Sequence, residues 1–355
     1  MKANDIWKIS TGKGVTVAVI DSGVARVPEL EGQVLPGKDF ATSGYVGDER
    51  TDYDNHGTSM AAIIAGSGKH PSGDGAFGLA PGARILPIRV PHDDQMISPS
   101  WTQAIRYAAD SDAKIINISM GASKDDPARF EAVKYALSRG KLIFAAVGND
   151  GDNLNEVNYP AATPGVVGVG AVGAGGAATQ ESQHGHQVDM SAPGIDIFTA
   201  CSGGSEFCKS HGTSDASALV SASAALLWSA HPDWTNNQVL RVLLNTAGKP
   251  KDGAERNDYI GYGVVRPRVA VPNPGDPGPA NEFPLPDLAD AEAAAADVKA
   301  PESGKPDPAP QAEEEKGGGD LRWVALGLGV CVVVGGAVGA VVRRRGRGKA
   351  KAAQG

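Results

Sequence analysis

The chain is expected to fold as an α/β domain built on a doubly wound, mainly parallel sheet, and three observations carry that expectation. Short apolar, β-branched runs recur without polar alternation, helix-length segments separate them, and aromatic residues make up only 5% of the 355 residues. Strands that are apolar throughout are buried on both faces, and helical crossovers between them make their pairing parallel. The 47 glycines and many alanines suit helices lying close against such a sheet.

The apolar runs are VTVAVI at 15–20, ILPIRV at 85–90, IINISM at 115–120, LIFAAV at 142–147 and VVGVGAV at 166–172. Each is short and bounded by turn residues. Helices are expected over 57–66, 101–110, 127–139, 214–230 and 235–247. Together these elements assign residues 1–270 to the α/β domain, a size that one core can fill.

From residue 271 the composition shifts to Pro, Ala, Gly, Glu and Asp, as in PNPGDPGPA and PESGKPDPAPQAEEEKGGG. Such a segment buries too little apolar surface to offset its ordering entropy, so residues 271–322 are expected to form a disordered linker. Residues 323–342, WVALGLGVCVVVGGAVGAVV, carry no charge. About 20 residues at about 1.5 Å each span about 30 Å, the thickness of a bilayer core, so a transmembrane helix is expected there. The other reading, a buried globular helix, leaves it nothing to pack against. The tail at 343–355 holds Arg343, Arg344, Arg345, Arg347, Lys349 and Lys351. Basic residues stay cytoplasmic, which puts the tail inside the cell membrane and the α/β domain outside. The opening residues, MKANDIWKIS, lack an apolar stretch, so an export signal is expected upstream or already removed. A net charge of −8, with the dense basic run confined to the tail, argues against a nucleic-acid partner.

Three segments carry chemistry. VTVAVIDSGV ends a strand at Asp21, DNHGTSMAAIIAG opens a helix at His56, and HGTSDASALV opens another at Ser214. An open α/β sheet gathers its site at such strand ends and helix starts. A serine hydroxyl is a poor nucleophile until an imidazole takes its proton, and a carboxylate holds that imidazole in the needed tautomer. Asp21, His56 and Ser214 fill those roles. Taken singly, such residues are ordinarily caps; it is the constellation that points to catalysis. Asn149, after Gly148 in LIFAAVGND, is placed to donate a side-chain amide to a developing oxyanion.

Other polar residues have plainer readings. His184 and His186 lack a further ligand at metal spacing, so no metal is expected there. His211 reads as a surface residue, and Asp52 and Asp54 as turn residues with a possible influence on His56. Cys201 and Cys208 share the loop CSGGSEFC, while Cys331 lies in the apolar stretch. In an extracellular domain the first two would pair and close a loop beside Ser214; the alternative is two unpaired thiols.

Across residues 7 to about 270 the chain resembles the subtilase family of serine endopeptidases. The resemblance rests on AVIDSGV, HGTSMAAIIAG, AAVGN, YPAATPGVVGVGAV, DMSAPG and GTS around Ser214. The layout of protease domain, proline-rich tether, single C-terminal span and basic tail further resembles the mycosins, membrane proteases of type VII secretion. The resemblance implies a protein or peptide substrate cleaved through an acyl-enzyme, with no cofactor. Calcium stays open, since the aspartates form no recognisable ligand loop. It further implies that Ser119, Met120 and Gly121 pair with the substrate backbone and that Ala145, Ala146 and Val147 line the other side of the P1 pocket. Asn158 would floor that pocket and restrict it to small P1 side chains. Secretion-complex subunits are implied partners, and a structural subunit with weak or lost activity is the alternative function. The chain departs from the family pattern at Asp215, where a small or apolar residue is usual, and at Ala218, where proline is.

Overall fold

The computed structural model describes residues 1–41, 46–52, 54–91, 99–202 and 207–299. After a one-turn helix α1 (Ala3–Ile6) come β1 (Thr16–Asp21), β2 (Lys38–Asp39), α2 (His56–Ala65), β3 (Arg84–Arg89), α3 (Pro99–Asp110) and β4 (Ile115–Ile118). Then follow α4 (Pro127–Ser138), β5 (Leu142–Ala146), β6 (Val167–Val172) and β7 (Met190–Pro193). The domain closes with β8 (Ile197–Ala200), β9 (Phe207–Ser210), α5 (Thr213–Ala230), α6 (Asn236–Thr246), α7 (Pro267–Ala270) and α8 (Asp287–Lys299).

Seven strands pair in the order β2-β3-β1-β4-β5-β6-β7, and every pair is parallel. The all-apolar character of the runs is explained by two cores, one on each face. Val17 and Val19 of β1 join Leu142 and Phe144 of β5 under α2, α5 and α6. Ala18 and Ile20 point the other way, with Ile143 and Ala145, against α3 and α4. This is the period-two alternation of a strand buried on both sides. Local signals set the helix starts: Asp126 caps α4 ahead of Pro127, and Thr235 with Gln238 forms a capping box on α6.

Two features depart from expectation. DMSAPG, quoted only as a motif, contains the edge strand β7. The domain also runs on past residue 270, so the linker expected from 271 is ordered as far as residue 299. Leu285 is buried in the main core with Val271, and Arg241 donates hydrogen bonds to the carbonyls of Pro277, Pro279 and Glu282. Asp287, at the start of α8, accepts one from the Gly165 N–H at 2.8 Å. One buried leucine and a guanidinium serving several carbonyls order a segment whose own composition would not. Truncating that anchor, Leu285→Ala, is expected to cost about 2–5 kcal/mol, seen as a lower denaturant midpoint at unchanged slope; an unaltered midpoint would show that the strap adds nothing to the fold.

Residues 323–342, expected as a transmembrane helix, and the tail at 343–355 lie outside the described residues. Among the described residues no helix is long and apolar enough to cross a membrane.

Candidate active site

The carboxyl ends of β1, β4 and β5, the centre of the sheet, meet the starts of α2 and α5 in a cleft of about 260 Å³. Asp21 is the last residue of β1 and is fully buried. Its Oδ1 accepts from the Ser22 N–H at 2.8 Å and from His56 Nδ1 at 2.7 Å. The first turn of α2 reaches β1 so closely that a Cβ on Gly57 would collide with the Gly23 carbonyl and approach the Asp21 side chain; glycine is needed for that approach.

The loop before His56 is tied down by Asp52. That carboxylate accepts from the N–H groups of Asn55 and Thr58 at 3.1 and 2.8 Å, and from the hydroxyls of Ser22 and Thr58 at 2.9 and 2.5 Å. Asn55 adopts a left-handed conformation, φ 66°, and its Oδ1 accepts from the N–H and hydroxyl of Ser202. Asp54 accepts from the His56 N–H at 2.9 Å.

Burial disfavours the charged form of His56, but the charge and hydrogen bond of Asp21, with the charges of Asp54 and Asp215, outweigh it and push His56 up to about 9. Its side chain keeps 27% of its surface exposed, open to the cleft. Asp215 is pushed up to about 6 by burial, against the opposing effects of the Ser210 hydrogen bond and of His56 and His211.

Ser214 opens α5 and lines the same cleft. Its hydroxyl donates to the Ser119 carbonyl at 2.8 Å, while the Ser119 hydroxyl donates to the Ser214 carbonyl at 3.1 Å. A hydroxyl has one proton, so in this rotamer it is committed to Ser119. Behind it Asn117, the one polar residue inside the run IINI, accepts from the hydroxyls of Ser217 and Ser221 and donates to that of Ser119. This buried network fixes α5 against β4. A lone amide in an apolar strand was the signal for it, and sequence reasoning passed over it.

Asn149 lies in the cleft with its Oδ1 turned inward, accepting from the N–H and hydroxyl of Thr213 at 2.8 and 2.9 Å. That orientation leaves Nδ2 as the donor side. Gly212, φ 115°, packs on this amide so tightly that an added Cβ would come within 2.8 Å of Nδ2.

Met120, Gly121, Ala146 and Asn158 line the cleft with Ser119. Ala145 and Val147 do not line it: both are fully buried in the core on the other sheet face, as strand alternation requires. Gly148 and Thr213 line it instead, and neither was anticipated. Cys201 and Cys208 form a disulfide across the antiparallel hairpin β8–β9. The His184 ring lies against Tyr259 in a tilted pair and hydrogen-bonds Asn155, and His211 pairs with Glu181 at 3.0 Å. Among the described residues no group of three or more His, Cys, Asp or Glu side chains has metal-binding geometry. A larger cavity, about 820 Å³, is bordered by Lys249, Tyr259 and Arg266.

A parallel α/β sheet that gathers a carboxylate-bound imidazole and a helix-start serine into one cleft has the form of a serine hydrolase. The signature of the subtilase family matches residues 12–263, and the chain belongs to that family of serine-type endopeptidases. It is 35% identical over 268 residues to a thermophilic serine proteinase of Bacillus sp. (strain AK1), a match covering 75% of this chain and 64% of that protein. To subtilisin E of Bacillus subtilis (strain 168) it is 35% identical over 265 residues, 74% of this chain and 66% of that protein. The chain thus spans about two-thirds of the length of these relatives. Among solved structures it is similar to MycP1 from Mycobacterium smegmatis, with TM-score 0.66 and 30% identity over 79% of this chain and 85% of that one. A second is the MycP3 protease from the type VII (ESX-3) secretion system, with TM-score 0.64 and 33% identity over 76% and 85%.

Proposed function

We propose that the chain is a membrane-anchored serine endopeptidase that cleaves peptide bonds outside the cell through Asp21, His56 and Ser214. The observation that carries the reading is the 2.7 Å bond between Asp21 and His56 in the cleft that holds Ser214. In the reaction Ser214 Oγ turns from Ser119 and attacks the scissile carbonyl carbon while its proton passes to His56 Nε2. The carbonyl oxygen becomes an oxyanion held by Asn149 Nδ2 and the Ser214 N–H, a first-turn donor that lacks an intrahelical partner. Collapse breaks the C–N bond, the amine leaves with the proton from His56, and water repeats the sequence on the acyl-enzyme. No cofactor enters.

The substrate backbone is placed along Ser119, Met120 and Gly121, with Ala146, Gly148 and Asn158 around a P1 side chain that must be small. Residues 323–342 are the proposed membrane span and 343–355 the cytoplasmic tail, which leaves the protease domain outside. The solved neighbours named for type VII secretion support the same setting here, with processing of secreted proteins as the task. A second reading, a structural subunit of such a complex with weak or lost activity, is favoured by the hydroxyl of Ser214 resting on Ser119.

A fluorophosphonate probe separates the two readings. The expected result is labelling confined to Ser214 whose rate climbs as pH rises through about 9. The sign follows from His56, held up at about 9: only its neutral form accepts the serine proton, and that form grows above its pKa. A folded, full-length protein that stays unlabelled up to pH 10 would sink the enzyme reading and leave the structural subunit.

A further inference from the structure

Asn158 stands in the cleft between two glycines. On one side a Cβ added at Gly121 would lie 3.4 Å from Asn158 Cβ and 3.8 Å from its Cγ; on the other a Cβ at Gly148, where φ is 110°, would collide with Asn158 Nδ2. All three residues line the cleft that holds Ser214. The backbone around Asn158 is fixed. Tyr159 and Ala122 exchange N–H···O=C bonds of 2.8 and 2.9 Å, and the Ala162 N–H donates to the Asn158 carbonyl at 3.0 Å. What is left to set is which end of the side-chain amide meets the Gly148 wall.

Gln183 lies behind that wall. It is 1% exposed, and its N–H donates to the Gly148 carbonyl at 3.0 Å. Its Oε1 is buried and has no hydrogen-bond partner among the described residues. That oxygen faces the same spot as Asn158 Nδ2, since a Cβ on Gly148 would collide with both. A buried carbonyl oxygen without a donor destabilises a fold. An amide NH2 beside it is attracted, whereas an Asn158 amide turned over would set two carbonyl oxygens against each other where the dielectric is low.

We propose that Gln183 is a positioning residue that acts through Asn158: its buried carbonyl holds Nδ2 against the Gly148 wall, so that Asn158 Oδ1 faces the P1 side chain and the pocket selects small neutral residues that donate a hydrogen bond, namely serine, threonine and asparagine. The inference rests on the proposed reading of the cleft as a peptidase site. A P1 hydroxyl or amide N–H gives Oδ1 its donor. An apolar P1 side chain of the same shape strands that oxygen once water is expelled, and a P1 carboxylate sets an anion against it. A pocket built around a hydrogen bond thus separates isosteres that size alone does not.

The test is competition between peptides that differ only at P1, threonine against valine and asparagine against aspartate, cleaved by the full 355-residue chain. The kcat/KM values should favour threonine and asparagine by about tenfold or more. Gln183→Met, similar in length and without a carbonyl, frees the Asn158 amide to turn, and the threonine-to-valine ratio should fall toward one. Merely structural damage lowers both rates and leaves the ratio in place. Adding Asn158→Asp to Gln183→Met should restore the threonine preference, since a carboxylate presents an acceptor whichever way it turns. Equal rates for threonine and valine in the native chain, or an unchanged ratio in folded Gln183→Met, would overturn the inference. Should that variant misfold, Asn158→Leu, which has no polar side-chain atom, decides it: a preference that survives there is not set by this amide. The affinities of the same peptides for Ser214→Ala keep this result apart from the peptidase reading. Threonine bound more tightly than valine, by a chain that in native form cleaves neither, removes the peptidase and keeps the pocket. Cleavage of both at one rate does the reverse, and peptides neither bound nor cleaved overturn both.

Discussion

Ser214→Ala is expected to lower kcat on a peptide substrate by roughly 10⁶-fold, the magnitude found for loss of the nucleophile in subtilisin, a relative of this chain. Adding His56→Ala to it should cost almost nothing more. The reason is that the imidazole has no role once the hydroxyl it deprotonates is gone, so the two residues act as one unit. The residual rate comes from Asn149 and the Ser214 N–H, which still polarise the carbonyl. Single-turnover kinetics on Ser214→Ala, His56→Ala and the double variant check this. Losses that multiply would mean the two side chains work separately and would remove the shared mechanism.

Asp21→Asn is expected to reduce kcat by about 10⁴-fold, or about 5.5 kcal/mol of barrier, while leaving the fold intact. Asp21 Oδ1 receives His56 Nδ1 at 2.7 Å and so sets the tautomer that keeps Nε2 available. An asparagine amide can turn its NH2 to the ring and stabilise the opposite tautomer, with the proton on the nitrogen that must be the base. The Asp21 charge also helps hold His56 at about 9, so its loss moves the rising limb of the pH profile to lower pH. Asp21→Asn thus lowers both the limb and the plateau. A plateau within about tenfold of the native rate in Asp21→Asn would show that this carboxylate does not orient the base.

Much of the fold was legible because its signals are local. IINI and LIFAA are short and almost wholly apolar, and each became a central strand. The stretch PNPGDPGPA was misread because composition reports only what a segment can bury by itself. Its order comes from Arg241, on α6 and far away in sequence, whose guanidinium binds the carbonyls of Pro277, Pro279 and Glu282. In the candidate site the one-residue offset among Ala145, Ala146, Val147 and Gly148 has a similar cause. Motif letters do not say which face of β5 a side chain takes, and strand alternation sends Ala145 and Val147 into the core.

Before any coordinates, the order of apolar runs and turn residues determined a parallel α/β sheet, and the motifs picked out Asp21, His56, Asn149 and Ser214, since each stands at a strand end or helix start marked by its immediate neighbours. Only the tertiary structure decided that Ser214 rests on Ser119 and that the domain reaches residue 299. Those depend on distances between residues far apart along the chain, and electrostatic and hydrogen-bond energies follow separation in space, which a linear sequence does not contain.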